Sequence, residues 1–229
     1  MNDRQSTILK TIIAEHIKTG LPVSSSSVSD NYSLNVSSAT VRNEMADLED
    51  QGYIVQPHTS AGRIPTEVAY KWFATDLPKL APDTKATEAL AEILNDRVEL
   101  NFKLAAKALA ELSGQAVFWA IHRHNVYYTG LTNLLSQPEF FSQNLIYDLS
   151  ATIDRLDEIV NDYFDQIQHQ TLILVGSDGP FGNFCSSILV KYKVGEHEGA
   201  FGLLGPLRQD YQKNIALIKY VSDLLCQKK

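Results

Sequence analysis

A glycine, a short apolar run and two prolines flanking a polar tip confine residues 52–66, GYIVQPHTSAGRIPT, to a hairpin. Gly52 ends whatever helix precedes it, and Tyr53-Ile54-Val55 form an apolar strand. The residue before a proline is driven toward extended backbone, so Gln56 and Ile64 are both expected to be strand-like. Gly62 is expected to supply the positive φ that a tight tip often needs. The tip offers the imidazole of His58, the hydroxyls of Thr59 and Ser60 and the guanidinium of Arg63, with no acid of its own. That set suits phosphodiester oxygens or a narrow groove. It would equally describe a plain polar hairpin, so the preceding segments decide.

Those segments read as three helices. Asn2 or Asp3 caps the first, whose stripe of Ile8, Leu9, Ile12, Ile13, His16 and Ile17 runs until Gly20 and Pro22 stop it. His16 lies at the stripe's edge and is expected to be a half-buried packing residue. A short second helix follows Ser24–Ser27, with Val28 inward. A tight connection at Ser33-Leu34-Asn35-Val36 leads to Ser37, a good N-cap for a third helix ending at Gln51. Val41, Met45 and Leu48 form its buried stripe, leaving Ala39, Asn43, Ala46 and Asp50 opposite, flanked by Thr40 and Arg42.

Helix, short helix, turn, helix and an apolar-rooted hairpin follow the order of a winged helix-turn-helix. In that arrangement the third helix suits a major groove of double-stranded DNA. Small Ala39 permits close approach, Asn43 pairs bidentately with adenine, and Arg42 meets guanine or phosphate. Ser37, Ser38 and the helix N-terminus suit a phosphate, with Thr40 in support. The acids from Asp47 to Asp50 are expected at the far end of the helix, where a duplex curves away. The alternative is a three-helix core with a hairpin and no ligand.

Charge restricts how such binding would work. The chain of 229 residues carries a formal net charge of −7. Through Leu80 seven cations face nine acids, a sum of −2, so a broad basic surface is excluded and a few placed cations must serve. Doubling in a homodimer would help.

The segments RQSTILKTIIAEHIKTGLPVSS and SSATVRNEMADLEDQGYIVQPHTSAGRIPT closely resemble the signature of the heat-inducible transcription repressor family, HrcA. The match runs from residue 3 to about residue 77, and PHTSAGRIPT is a highly specific string. The resemblance implies a dimeric bacterial repressor on an inverted-repeat operator before chaperone genes. It also implies a GroE-type chaperonin as the partner that sustains repression until misfolded protein draws it away.

After the hairpin, Thr66 caps a fourth helix in which Tyr70, Trp72 and Phe73 close the small core, while Lys71 is a further candidate to meet DNA. LPKLAP, residues 77–82, reads as a linker, giving a DNA-binding domain over 1–78 and a second domain over 83–229. The second begins with one long helix or two, from Asp83 to Leu112, striped by Leu90, Ile93, Leu94, Val98, Ala105, Leu109 and Leu112. Strands are expected at 116–121, 126–128, 171–175, 184–194 and 200–204, an acidic amphipathic helix up to Gln166, and a last helix carrying Leu207 to Leu225. The fold class is therefore α+β, a winged helix-turn-helix followed by helices on a mainly antiparallel sheet.

GLTNLLSQPEF and GAFGLLGPLRQDYQKNIALIKYVSDLL resemble the same family's C-terminal half, which is GAF-like and serves regulation and dimerisation. Two departures stand out. Where the family has GPTRMDY this chain has GPLRQDY, with Leu207 and Gln209 in place of Thr and Met. Only residues 115–129 fill the space of the family's central insertion, which is thus reduced or absent.

Phosphate-loop, dinucleotide, zinc-protease and hydrolase-elbow motifs are all missing from the sequence, so no enzyme activity and no cofactor is expected. A winged helix fused to an enzyme, and a regulator sensing a small molecule in a GAF-like pocket, are the alternatives; Phe118, Trp119 and Tyr128 would decide whether that pocket is open or filled. His122 and His124 are expected to be a solvated hairpin rather than a metal pair. Cys185 and Cys226 form no framework and read as reduced thiols. With neither a leader pattern nor an apolar stretch long enough to span a bilayer, the expectation is a cytoplasmic protein that does not engage a membrane.

Overall fold

A computed structural model describes residues 1–31, 36–77, 81–95 and 98–226. The connection expected at Ser33–Val36 and the linker's Pro78, Lys79 and Leu80 lie wholly or largely outside them. The chain divides into two compact units, Met1–Leu77 and Pro78–Lys229, and its fold mixes helix with antiparallel sheet.

The first unit contains α1 (Asp3–Thr19), α2 (Ser25–Asn31), α3 (Ser38–Asp50), β1 (Ile54–Val55), β2 (Ile64–Pro65) and α4 (Glu67–Thr75). A capping box starts α1: Asn2 accepts from the Gln5 N–H while the Gln5 side chain accepts from the Asn2 N–H. The apolar stripe then packs inward, with Ile8, Leu9, Ile12 and Ile13 fully buried beside Val28, Val41, Leu48 and Ile54. His16 is half-buried, its Nδ1 2.7 Å from the Tyr70 hydroxyl, and Tyr70 itself is buried, as expected of an aromatic closing this core. Thr66 caps α4 by accepting from the Ala69 N–H. β1 and β2 pair antiparallel, Ile54 opposite Pro65 and Val55 opposite Ile64.

In the second unit, α5 (Thr84–Asn95) and α6 (Val98–Ser113) pack on each other. Five strands form one antiparallel sheet: β3 (Ala116–His122), β4 (Asn125–Thr129), β5 (Leu172–Val175), β6 (Cys185–Val194) and β7 (His197–Pro206), in the order β4-β3-β7-β6-β5. Between β4 and β5 run α7 (Leu131–Leu135), α8 (Gln143–Asp154) and α9 (Leu156–Tyr163), so the single acidic helix expected there is broken at Arg155. The last helix, α10 (Tyr211–Cys226), starts four residues later than expected, leaving Leu207 outside it.

Alternation along β3 sends neighbours to opposite faces of the sheet. Ala116, Phe118 and Ala120 join Leu134, Leu149, Val160 and Leu189 in one core, where Phe118 lies against Phe181. On the other face Trp119 stacks on Phe201 at 4.6 Å between ring centroids, and its Nε1–H donates to the Tyr192 hydroxyl at 2.9 Å. Tyr128, by contrast, is exposed. Gln209 is buried where the family pattern has a Met. Its Nε2 donates to Ser186 Oγ at 2.5 Å and its Oε1 accepts from Asn214 Nδ2 at 2.9 Å. Among the described residues no helix is long and apolar enough to cross a membrane, and no group of three metal-ligating side chains assembles.

Candidate nucleic-acid interface

Two short stretches of backbone present the candidate residues, and each is held by local chemistry. Ser37 opens α3, accepting from the Thr40 N–H at 3.2 Å with its hydroxyl 3.0 Å from that of Thr40. Both hydroxyls are thus engaged in the cap. Burial of Val41, Met45 and Leu48 against the first unit's core turns the remaining faces outward. Ser38, Ala39, Arg42 and Asn43 are exposed along two turns of the helix, and Thr40 is half-buried.

The hairpin tip is fastened from within. The Gln56 side-chain amide donates to Thr59 O at 3.0 Å and to Ala61 O at 2.9 Å, and the Ala61 N–H donates to His58 O at 2.8 Å. His58, Thr59 and Ser60 are exposed on this frame, with His58 Nδ1 3.3 Å from Ser60 Oγ. A second fastening lies behind it. Val23 and Arg63 exchange backbone hydrogen bonds, 2.8 Å each, joining the returning strand to the segment before α2.

Gly62 corrects an expectation here. It is not among the glycines of positive φ. A Cβ at this position would lie 2.4 Å from Val23 O, so the residue is small because two backbones meet there, not because the tip needs a left-handed residue. The positive φ falls instead at Gly52, +79°, where α3 terminates.

Arg63 differs from the picture of a wing whose guanidinium meets no acid. The tip holds none, but α3 supplies one: Arg63 Nε donates to Glu49 Oε2 at 2.8 Å. The acids at the end of α3 are expected from the sequence to point where a duplex would curve away, and Glu49 points to the hairpin. Lys71 is likewise paired, with Glu67 one turn earlier on α4 at 2.7 Å. Arg4 binds Glu44 and Lys10 binds Asp76. Of the first unit's described lysines and arginines, only Arg42 and Lys18 make no ion pair, and Arg42 is the one on α3.

Arg42, Arg63, Thr59 and Ser60 come together with Ser24 and Ser25 around a cleft of about 450 Å3. One cation with no ion pair among the described residues, a second held by Glu49, and several hydroxyls make a small polar concavity suited to an anion. Ser38, Ala39, Asn43 and His58 lie outside the cleft's lining, and Lys71 is on another helix. Sequence reasoning missed Glu49, Gln56, Val23, Ser24 and Ser25 as parts of this arrangement. Gln56 carries a signal in hindsight, because an amide between an apolar strand and a proline can cap the loop that follows; Glu49 carries none.

A protein-family model described as the HrcA protein C terminal domain matches residues 37–215. Heat-inducible transcription repressor HrcA of Bifidobacterium adolescentis is 42% identical over 115 residues, which is 49% of this chain and 31% of that protein. The repressor of the same name from Natranaerobius thermophilus is 44% identical over 117 residues, 49% of this chain and 34% of the relative. These matches span about a third of the relatives' length. The one from Moorella thermoacetica aligns with 99% of this chain and 97% of its own length at 24% identity, over 335 positions. The chain has 229 residues, so more than 100 of those positions face none of them. A crystal structure of a hypothetical protein at 2.2 Å resolution shares the fold, with a TM-score of 0.84 at 20% identity over 99% of this chain and 98% of its own. Because the family model spans more than half of its residues, the chain belongs to the HrcA family.

Proposed function

We propose that this protein is a transcription repressor of heat-shock genes that binds double-stranded DNA through its first unit. In this reading residues 1–78 are a winged helix-turn-helix, with α3 as the recognition helix and the β1–β2 hairpin as the wing. Residues 83–229 are a GAF-like domain for regulation and dimerisation. Two protomers sit on an inverted repeat, and a GroE-type chaperonin is the partner that tunes repression. The work is binding rather than catalysis, and the protein acts in the cytoplasm.

The observation that carries the reading is the cleft between α3 and the hairpin, where Arg42, which makes no ion pair among the described residues, stands beside Arg63, Thr59 and Ser60. A phosphate there would fix the register of α3 in a major groove, leaving Asn43 and Ala39 to meet base edges. Ser37 and Ser38 lie at the N-terminal end of the helix, where the backbone N–H groups favour a second phosphate. His58 extends the wing's reach along the backbone.

Selection of bound duplexes from a random pool tests this directly. The expected product is an enriched inverted repeat whose spacing reports the dimer. Asn43→Ala should then lose about 1–3 kcal/mol on the enriched site and relax the preference at one base, while Arg42→Ala or Arg63→Ala should weaken all sequences. No enrichment, or binding indifferent to all three substitutions, would sink the reading.

A further inference from the structure

Glu49, near the end of α3, turns its carboxylate to the hairpin, and its two oxygens serve both strands. Oε1 accepts from the Gln56 backbone N–H at 3.0 Å, just beyond β1. Oε2 accepts from Arg63 Nε at 2.8 Å, just before β2. One side chain on the third helix therefore ties the outgoing and the returning limb of the hairpin to that helix. From Gln56 the constraint passes into the tip, through the amide bonds to Thr59 O and Ala61 O. From Arg63 it passes to Val23 through the paired backbone bonds.

The same interaction orders the guanidinium. With Nε donated to Glu49, the terminal amino groups of Arg63 make no hydrogen bond among the described residues, and Arg63 lines the cleft with Arg42, Thr59 and Ser60. A free arginine loses rotamer freedom on meeting a ligand, whereas one already held by a carboxylate loses less. An acid so near an anion site would ordinarily repel the anion. Its charge here is matched by the group it orients.

We propose that Glu49 is a positioning residue for DNA recognition. It holds the wing at a set distance from α3 and fixes Arg63 so that the terminal N–H groups meet, together with Arg42, one phosphate of the duplex. The DNA half of this inference rests on the function proposed above; the tether itself rests on the hydrogen bonds alone. Removing Glu49 should therefore lower affinity for the right DNA even though it removes a negative charge from the interface, the opposite of what simple repulsion dictates.

The test uses the full chain with Glu49→Ala, Glu49→Gln, Arg63→Ala and the double variant E49A/R63A, on the duplex enriched from the random pool and on an unrelated duplex. Glu49→Ala should weaken the enriched duplex about tenfold and the unrelated one by less, so that the specificity ratio falls. Glu49→Gln keeps one acceptor and should fall between, which separates the loss of the tether from a failure to fold. Because part of what Glu49 does passes through Arg63, the double variant should lose less than the sum of the two single losses. Independent additive losses, or equal tightening on both duplexes after Glu49→Ala, would overturn the proposal. Hydrogen exchange without DNA reads the tether separately: amides of residues 56–63 should exchange faster in Glu49→Ala, and unchanged exchange would overturn it. If the unsubstituted chain enriches no duplex, the DNA-binding reading and the recognition role of Glu49 fall together, while the exchange result still decides the tether.

Discussion

Val23 and Arg63 are joined by two backbone hydrogen bonds of 2.8 Å each, N–H to carbonyl in both directions. This bridge pins the end of the hairpin to the segment that enters α2, and it leaves no room for a side chain at Gly62. The wing and the segment that enters α2 therefore share one backbone frame, which forms one side of the cleft.

Gly62→Ala should break that frame. The new Cβ would meet the Val23 carbonyl, backbone against backbone, with no flexible side chain to yield. A loss of about 1–3 kcal/mol in the first unit's stability is expected, as for other overpacked positions. Thermal unfolding followed by the emission of Trp72, in a Trp119→Phe background, would measure it. DNA affinity should fall further than stability alone explains, because the wing moves away from α3.

Arg42 and Lys71 should separate cleanly in their effect on DNA binding. Arg42 is exposed and makes no ion pair among the described residues, whereas Lys71 is held by Glu67 and lies on α4. Arg42→Ala is expected to make the plot of log affinity against log salt shallower by at most about 0.9 per protomer, the change for one phosphate no longer neutralised, and by less where Arg63 still meets the shared phosphate. Lys71→Ala should change that slope by much less. A salt titration by fluorescence anisotropy decides, and equal slope changes would contradict the placement.

Gln209→Met, restoring the residue the family pattern carries, should destabilise this chain. Gln209 is buried and bonded on both sides, to Ser186 and to Asn214. Methionine would leave Asn214 Nδ2 without its acceptor in the core, while Ser186 Oγ keeps its bond to Pro206 O, a cost of about 1–3 kcal/mol for a buried polar group left unsatisfied. Urea denaturation monitored by Trp119 should show a lower midpoint. A stabilised variant would mean that the polar network is under strain rather than supportive.

The two thiols should differ in reactivity. Cys226 is exposed, and Cys185 is buried, which pushes its thiol pKa up to about 12. A thiol reagent at neutral pH is expected to label Cys226 at once and Cys185 only on unfolding. The same shift predicts alkaline instability. The unfolded thiol ionises near 9.0 and the folded one near 12, so stability from this group is intact below 9.0 and is lost as pH rises toward 12. The slope should be about 1.4 kcal/mol per pH unit within that window. Burial raises the Tyr211 hydroxyl as well, which adds to the fall at the upper end. Cys185→Ala should have a visibly flatter alkaline limb.

Local patterns in the sequence were enough to locate most elements. Asn2, Ser37 and Thr66 name their helix starts because a short oxygen-bearing side chain satisfies N–H groups that no helix bonds itself. The stripe of Val41, Met45 and Leu48 declares which side of α3 is buried, and so which residues remain outside. Alternation along β3 separates Phe118 from Trp119. The break of the acidic helix at Arg155 was not legible, since its apolar period continues across the break while the backbone does not.

What the linear sequence determined by itself was most of the helices and strands, the membership in a family and the residues presented by α3. These follow from spacing of a few residues, where period and capping chemistry act. Tertiary structure alone decided what those residues face. Glu49 reaches Arg63 across fourteen positions, and Gly62 is small for the sake of Val23, far earlier in the chain. Neither relation leaves a periodic trace, because it depends on how separate elements pack. The arginine at the wing was legible from the sequence; the carboxylate that holds it came only with the fold.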